Sequence, residues 1–407
     1  MTELFTFFTL LGFSTRTWMN DLLVPHPMFL SSTSPTPIIY LVVLVFGITF
    51  FTAQWLIPQA IRFAHRFQLV DRPNLRKTHI NSTPVLGGLS IFTSVVFAFS
   101  LTYLLLYSYF NIDLDFNIVF GLFSAVSLMV FFGLKDDILE VGPFEKLIFQ
   151  IITALFVIIS CEIRIHNFEG LFGIYELPTL FSYVFSVFVF VIVVNAFNLI
   201  DGIDGLSASV GLISTLCFGI FFFLNDLLIQ SLIMFCYSGA LTSFLIFNFK
   251  KRIFLGDNGS MSLGVVIAFG VFSVITATHN SNLIGETGYF INNASVIVLA
   301  LISFPLLDTI RIFCVRLMKG KNPFTPDRNH LHHHLIDINF SHFESTLLIV
   351  AYTIVITGIA LALRSWDITS HFFGMLFLSS SIYLIKRVSK GSLSRKNNFK
   401  KLTDYDV

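Results

Sequence analysis

The chain of 407 residues has few charged side chains and few cysteines. Charged residues make up 12% of the sequence, against about 25% in an ordinary soluble domain. Lysine and arginine occur singly or in short groups without a basic domain, which argues against a nucleic-acid partner. The four cysteines lie in apolar runs and form no CxxC pair. The sequence therefore predicts neither a disulfide framework nor a zinc site built on cysteine.

Several motifs are missing as well. No GxxxxGK followed by Ser or Thr occurs, which excludes a P-loop ATPase. The first residues, MTELFTFFTLLGFSTR, lack a basic n-region and make a poor signal peptide. No repeat of fixed period is present, whereas many secondary transporters are built from paired repeats.

Apolar residues are abundant: 55% of the chain is hydrophobic, and the mean hydropathy is +0.81. A bilayer-spanning helix needs roughly 20 apolar residues. A window of that length predicts an all-α polytopic membrane protein with about eleven transmembrane helices. The predicted spans are 38–58, 86–107, 117–134, 146–163, 180–200, 205–224, 228–248, 260–278, 294–317, 346–363 and 370–386.

The basic residues predict the orientation of these spans. All but three of the 25 Lys and Arg fall in one alternate set of loops, the exceptions being Arg16, Arg164 and Arg364. Basic loops face the cytoplasm, so we expect the N-terminus outside and the C-terminus inside. We predict an interfacial or extracytoplasmic segment at 1–37 and a single bundle with cytoplasmic catalytic loops at 38–386. A basic cytoplasmic tail follows at 387–407.

The stretch VVNAFNLIDGIDGLSASVG interrupts two apolar runs. Asn195, Asn198 and Asp201 are three residues apart and share one helical face, and Asp204 follows. Asn and Asp are ordinary cap residues, so a capped helix end is the alternative interpretation. Four such residues are more than one cap needs.

Two further acidic motifs lie at predicted cytoplasmic helix ends. GLKDDILE contains Asp136 and Asp137, whose mutual repulsion a divalent cation or a cationic partner would relieve. The alternative is a solvated acidic loop. FLGDNGSMSLG places Asp257 in a Gly-flanked turn, where the alternative is an Asp–Asn–Gly turn with Ser260 as N-cap.

Basic and imidazole groups occur in two other loops on the same side. DRPNLRKTHINSTPVLGG supplies Lys77; plain positive-inside charge with close glycine packing is the alternative interpretation. PDRNHLHHHL supplies Arg328, His330, His332 and His333. A His-rich tract can bind zinc, but no Cys or Glu completes a tetrahedral set, and donors facing a phosphate fit at least as well.

Asp308 and Arg311 lie deeper, within the predicted ninth span. Charges inside a bilayer are costly and are usually paired. Their i, i+3 spacing favours a structural ion pair, with support for the His-rich loop as the alternative.

These groups all belong to one predicted membrane face. Carboxylate and phosphate oxygens are the ligands that Mg²⁺ prefers, and a diphosphate needs cations because charge builds on its oxygens during transfer. The residues therefore indicate metal-assisted phosphoryl transfer between a soluble diphosphate and a lipid head group. A transporter or channel is the competing function, but it would keep its ionisable residues near the midplane.

Five motifs in this order, from DRPNLRKTHINSTPVLGG to PDRNHLHHHL, resemble the polyprenyl-phosphate N-acetylhexosamine-1-phosphate transferases (glycosyltransferase 4 family). The resemblance covers roughly residues 40–340. The last loop is most similar to the bacterial undecaprenyl-phosphate GlcNAc-1-phosphate transferases of the WecA type. The phospho-MurNAc-pentapeptide branch shares the Asp motifs and differs in this loop.

The resemblance implies a reaction: a UDP-N-acetyl sugar gives its sugar-1-phosphate to undecaprenyl phosphate, and UMP leaves. It also implies a bacterial inner-membrane enzyme that starts O-antigen or related polysaccharide synthesis, with its active site facing the cytoplasm. Mg²⁺, with Mn²⁺ as a substitute, is the implied cofactor. The sugar, the pathway and the oligomeric state stay open.

Residue roles follow from the same resemblance. Asn198 and Asp257 would hold the metal. Asp136, with Asp137 beside it, would deprotonate or orient the lipid phosphate, or act through the metal. The remaining roles are diphosphate binding by Arg328, His330, His332 and His333, lipid-phosphate steering by Lys77, and nucleotide binding by Asn195, Asp201 and Asp204.

Overall fold

A computed structural model describes residues 36–71, 83–110, 116–279, 291–320 and 330–383. Almost all of these residues are helical, which confirms the predicted all-α class. The helices are α1 (Thr36–Arg66), α2 (Gly87–Phe110), α3 (Phe116–Leu139), α4 (Pro143–Ser160), α5 (Thr179–Leu199), α6 (Leu206–Leu224), α7 (Leu228–Asn248), α8 (Asp257–His279), α9 (Ala294–Leu301), α10 (Ser303–Met318), α11 (Leu331–Asp337), α12 (His342–Ala362) and α13 (Ile368–Ser380). Short 3₁₀ turns lie at Leu171–Gly173 and Ser381–Tyr383.

Nine helices in the described ranges are long and apolar enough to cross a membrane. They are α1 to α8 and α12, and each corresponds to a predicted span. The chain is therefore a multi-pass membrane protein. The predicted orientation and the predicted segment boundaries at 37 and 386 stay predictions.

The predicted ninth span is a broken helix. α9 and α10 meet at Ile302 with a bend of 75°. Pro305 stands in the first turn of α10 and has no N–H to donate to the carbonyl of Leu301. This missing bond accounts for the break, and the bent pair brings the possible number of spans in the described residues to ten.

The predicted eleventh span contains only 13 helical residues in its described part, α13. At 1.5 Å per residue this helix is about 20 Å long, shorter than the roughly 30 Å of a hydrocarbon core. Residues from 384 onward lie outside the described ranges, so the expected count of about eleven is neither reached nor overturned.

Helix α8 lies at the centre of the bundle. Every residue from Asn258 to Thr278 is buried, and α2, α3, α5, α6 and α9 pack around it. Small residues permit this approach: a methyl group at Gly264 would fall 2.7 Å from Val194 Cα, and one at Gly88 would fall 2.2 Å from Gly259 Cα.

The segment before α8 is held by the start of α2. A two-residue antiparallel pair joins β1 (Val70–Asp71) to β2 (Thr83–Pro84). The Phe254 N–H donates to the Pro84 carbonyl at 2.8 Å, and Gly88 N–H donates to Leu255 O at 3.1 Å. These backbone bonds fix where the first residue of α8, Asp257, enters the bundle.

Candidate active site

A cavity of about 410 Å³ opens where α3, α4, α5 and α8 end or begin. Its charged lining contains six carboxylates and, among the described residues, one lysine. The carboxylates belong to Asp136, Asp137, Glu140, Asp201, Asp204 and Asp257, and the lysine is Lys146. Such a cavity is strongly negative and needs further cations before a diphosphate can enter.

Asp136 and Asp257 share the ammonium group of Lys146. The Lys146 Nζ contacts Asp136 Oδ2 and lies 3.0 Å from Asp257 Oδ2. Asp136 Oδ1 accepts a hydrogen bond from Val141 N at 2.7 Å, and the Asp136 side chain also lies within hydrogen-bond reach of the Asp257 carboxyl group. The Asp136 side chain is 3% exposed, and the Lys146 ammonium is the cation that contacts it among the described residues.

Asp137 faces away from its neighbour and caps α8. Its carboxylate accepts hydrogen bonds from Asp257 N at 2.9 Å, Asn258 N at 3.1 Å and Asn258 Nδ2 at 2.7 Å. The free N–H groups of a helix start need such an acceptor. Asp137 therefore positions Asp257, although the expectation placed it beside Asp136 in the chemistry.

Asn198 reaches the cavity from the last turn of α5. Its Oδ1 accepts a hydrogen bond from Ser260 Oγ at 2.7 Å. Ser260 thus links α8 to α5 and does not cap α8, contrary to the alternative interpretation of this turn. A second lone pair on the Asn198 oxygen is available to a ligand.

Asp201 and Asp204 occupy the turn between α5 and α6 and have different surroundings. Asp204 Oδ2 pairs with His342 Nδ1 at 2.7 Å, which joins the turn to α12. Burial, followed by the charges of Asp257, Asp137 and Asp204, raises the pKa of Asp201 well above its usual range. Both line the cavity, but Asp201 is the one whose charge a bound cation would stabilise most.

Asn195 is engaged elsewhere. Its Nδ2 donates to Gln150 Oε1 at 2.6 Å, and Gln150 Nε2 donates back to Asn195 Oδ1 at 3.2 Å. This amide pair joins α4 to α5 within the bundle. Asn195 is not among the residues that line the cavity, so its predicted contact with the nucleotide has no direct geometric support.

His330 is held by a buried carboxylate. Asp308 is fully buried, and its Oδ2 lies 2.7 Å from His330 Nδ1. Asp308 Oδ1 accepts from Arg311 at 3.0 Å and from Leu331 N at 3.2 Å. Asp308 therefore serves both interpretations given to it, since it pairs with Arg311 and also supports the His-rich loop.

His332 connects this loop to the cavity wall. It is fully buried, and neither ring nitrogen has a hydrogen-bond partner in the described part of the chain. A methyl group at Gly202, which lines the cavity, would fall 2.4 Å from its Nε2. Burial, with the His333 charge second, lowers the pKa of His332 well below its usual range, so the imidazole is neutral.

The imidazoles also lie close to one another. The His332 and His333 rings are 4.3 Å apart between centroids. Ligand atoms of Asp308, His330 and His332 lie within 4.8 Å of one another, a spacing that could hold a metal ion. Asp308 already accepts three hydrogen bonds there, so we interpret the cluster as a hydrogen-bonded support for the loop.

Two predicted site residues, Lys77 and Arg328, lie outside the described residues. Of the other predicted residues, Asp136, Asp137, Asn198, Asp201, Asp204 and Asp257 line one cavity. His332 adjoins its wall at Gly202. His330 and His333 lie behind that wall and are not lining residues.

The family resemblance also implies that Lys146 and Gln150 lie one turn apart and face the nucleotide pocket, but sequence reasoning did not pair Lys146 with any acid. Lys146 lies in the first turn of α4, and Asp136 lies in the last turn of α3, with only residues 140–142 between the two helices. Because a short turn makes consecutive helices antiparallel neighbours, this spacing alone could have paired the two residues.

Comparisons with known proteins identify the relatives of this chain. A family model described as Glycosyl transferase family 4 matches residues 119–277. The undecaprenyl-phosphate alpha-N-acetylglucosaminyl 1-phosphate transferase of Salmonella typhi is 27% identical, over 81% of this chain and 87% of its own length. The protein of the same name from Yersinia pestis is 29% identical, over 71% of this chain and 75% of its own length. The decaprenyl-phosphate N-acetylglucosaminephosphotransferase of Mycolicibacterium smegmatis is 31% identical over 76% and 78%.

Proposed function

Because the chain belongs to glycosyl transferase family 4, we propose that it transfers N-acetylhexosamine-1-phosphate from a UDP-sugar to undecaprenyl phosphate. GlcNAc-1-phosphate is the group named in the relatives. The products are UMP and the lipid-linked diphosphosugar that starts a cell-surface polysaccharide such as O-antigen.

The observation that carries this proposal is the cavity itself. Six carboxylates and a lysine converge at the helix ends of a membrane bundle, where a water-soluble diphosphate and a lipid head group can both reach. Such a lining repels a diphosphate by itself and attracts it once a divalent cation is bound. A transporter has no evident use for this arrangement at a helix end.

The donor set fits Mg²⁺. Asp257 supplies a carboxylate that is 33% exposed, Asn198 supplies an amide oxygen, and Asp136 supplies a buried Oδ2 that contacts Lys146. Oxygen ligands of this kind suit Mg²⁺, with Mn²⁺ as a substitute. We assign Asp257 and Asn198 to the metal, with Asp136 beside them able to act through it; the metal, when bound, would neutralise charge on the diphosphate.

The reaction breaks one P–O bond and forms another. An oxygen of the lipid phosphate attacks the phosphorus that carries the sugar, and the bond from that phosphorus to the UMP oxygen breaks. Asp136 either accepts the proton of a singly protonated lipid phosphate or orients the ionised form. UMP departs with the electron pair of the broken bond.

The other residues bind and orient the substrates. Arg328, with the half-buried His333, would grip the diphosphate from the loop that Asp308 supports, and the buried His330 and His332 would hold that loop against the cavity wall. Lys77 would steer the lipid phosphate, and Asp201 and Asp204 would shape the nucleotide pocket. We also infer that the cavity faces the cytoplasm of a bacterial inner membrane, since the basic loops lie on this side.

The test is release of UMP by purified protein from a panel of UDP-sugars, with and without undecaprenyl phosphate. We expect UMP and a lipid-linked product only when the lipid, the sugar donor and Mg²⁺ are all present. Chelation with EDTA should stop the reaction, and added Mg²⁺ or Mn²⁺ should restore it. No UMP with any donor, from protein that is folded and metal-loaded, would refute the proposal.

A further inference from the structure

Lys146 occupies an unusual position for a residue of a metal-dependent site. Its ammonium group lies between the carboxylates of Asp136 and Asp257, in contact with both. No other described cationic side chain lines this cavity. A divalent cation that bound the same two carboxylates would have to occupy the position that the ammonium group now holds.

The surroundings of the two carboxylates keep them in place. Asp136 is anchored through Oδ1 by the Val141 N–H. Asp257 is anchored through its own backbone N–H, which donates to Asp137 at 2.9 Å. These anchors do not involve Lys146, so the Asp136 carboxylate and the Asp257 backbone are held independently of the cation between them.

Lys146, by contrast, can leave without disturbing the fold. Its backbone is held in the first turn of α4, where its N–H donates to Gly142 O at 3.2 Å. The side chain is 27% exposed to the cavity, and a lysine carries its charge on four flexible methylene groups. Rotation about those bonds moves the ammonium toward the open volume while α4 stays in place.

We propose that Lys146 is an internal counter-ion that competes with the divalent cation. In the metal-free enzyme its ammonium takes the cation position between Asp136 and Asp257, and metal binding displaces it into the cavity. There it faces the diphosphate oxygens. This inference rests on the proposed function for the identity of the anion, but not for the competition itself.

Charge balance explains why a divalent cation can replace the Lys146 ammonium between the two carboxylates. When both carboxylates are ionised, one ammonium leaves them with a net charge of −1, whereas a divalent cation neutralises them fully. The displaced ammonium then loses its partners unless an anion enters, so metal and diphosphate favour each other's binding. In the metal-free site the lysine also offsets the repulsion between the buried Asp136 and the half-buried Asp257.

The experiment measures Mn²⁺ binding to purified protein, without substrate, by the EPR signal of free Mn²⁺. Lys146→Met removes the competitor, and we expect it to bind Mn²⁺ about tenfold more tightly than the wild type, the size of one charge-assisted hydrogen bond. Lys146→Gln, which keeps a polar side chain, serves as a second variant if the first does not fold.

Lys135→Met is the matched control. Lys135 lies at the same end of the bundle, is 44% exposed and pairs with Glu145 at 3.5 Å, so its removal changes the net charge equally without vacating the carboxylate pair. We expect its Mn²⁺ affinity to stay close to that of the wild type. Asp257→Asn should bind Mn²⁺ much more weakly than the wild type. That loss would show that the measured Mn²⁺ binds in this cavity.

The outcomes separate the two proposals. Unchanged or weaker Mn²⁺ binding in both folded Lys146 variants would overturn the competition, even if the wild type transfers sugar phosphate. An equal gain in Lys135→Met would also overturn it, because a general charge effect would then suffice. Tighter binding in the Lys146 variants, with no transfer to any lipid acceptor, would uphold the competition and remove the proposed function.

Discussion

Helix α8 joins two polar ends of the bundle that are built differently. At its first residue, Asp257 faces a cavity in which six carboxylates surround one described lysine. At its last residue, His279 takes part in a network of amides, imidazoles and hydroxyls: its Nδ1 lies 3.0 Å from Asn167 Nδ2, and its ring stacks on His166 at 5.7 Å between centroids.

The opposite end satisfies most of its polar groups internally. Ser295 Oγ donates to Glu169 Oε2 at 2.9 Å, and Asn293 Nδ2 lies 3.1 Å from His371 Nδ1. Burial, followed by the charge of Arg164, lowers the pKa of His166, so this end sheds charge. The cavity end instead crowds acids beside open volume, where burial and their mutual repulsion raise the pKa of Asp201 well above its usual range. That excess of acidic groups, rather than polarity as such, distinguishes a candidate site from a structural network.

The largest expected effect tests the two ends directly. Asp257→Asn and Asp136→Asn should each lower turnover by at least about 10²-fold, because each removes a charge that acts on the reacting groups. Glu169→Gln at the opposite end keeps an acceptor for Ser295 and should leave UMP release unchanged. Near-wild-type turnover in both Asp variants at normal protein levels would contradict the assignment of the active site to the cavity end.

A smaller effect is expected behind the cavity wall. Asp308→Asn keeps an acceptor for His330 but removes the charge, and we expect the KM for the UDP-sugar to rise about tenfold, as for the supporting partner of a functional histidine. If Asp308 acts through His330, the double variant with His330→Ala should cost no more than His330→Ala alone. Additive losses would mean that Asp308 has a separate structural role.

Substitution of the adjacent acids Asp136 and Asp137 should have opposite effects on stability and turnover. Asp137→Asn weakens the cap of α8 and should lower the free energy of unfolding by about 1 kcal/mol, measured by thermal unfolding in detergent. Its turnover should fall less than that of Asp136→Asn, whose stability should change less. The reverse ranking would assign the chemistry to Asp137.

The smallest expected effect concerns pH. Because the pKa of folded Asp201 is raised above its ordinary 3.8, the native state binds more protons than the unfolded state above that pH. This group therefore favours folding below about pH 4 and loses that contribution as the pH rises. Metal-free Asp201→Asn should melt at a higher temperature than the wild type at pH 8, with the gap closing toward pH 4. A gap that does not depend on pH would contradict the assignment.

Asp136 and Asp137 show how much of the site could be predicted from the sequence. Asp136 and Asp137 are indistinguishable along the chain, but consecutive residues on a helix point about 100° apart. One meets Lys146 and the other meets the start of α8. Asn195 shares a helical face with Asn198, but Gln150 of α4 takes up its amide.

The sequence by itself determined the membrane class, the family, and nearly every span, because lipid requires long apolar helices and because the five motifs stand in a fixed order. It also determined that the polar groups gather at helix ends on one face. Tertiary structure decided which of them meet: the close packing of α8 against α2, α3 and α5 aims each carboxylate at a cation, a helix end or open volume. Contacts between residues more than a hundred positions apart, such as Lys146 with Asp257, depend on that packing. The local sequence pattern around either residue cannot predict them.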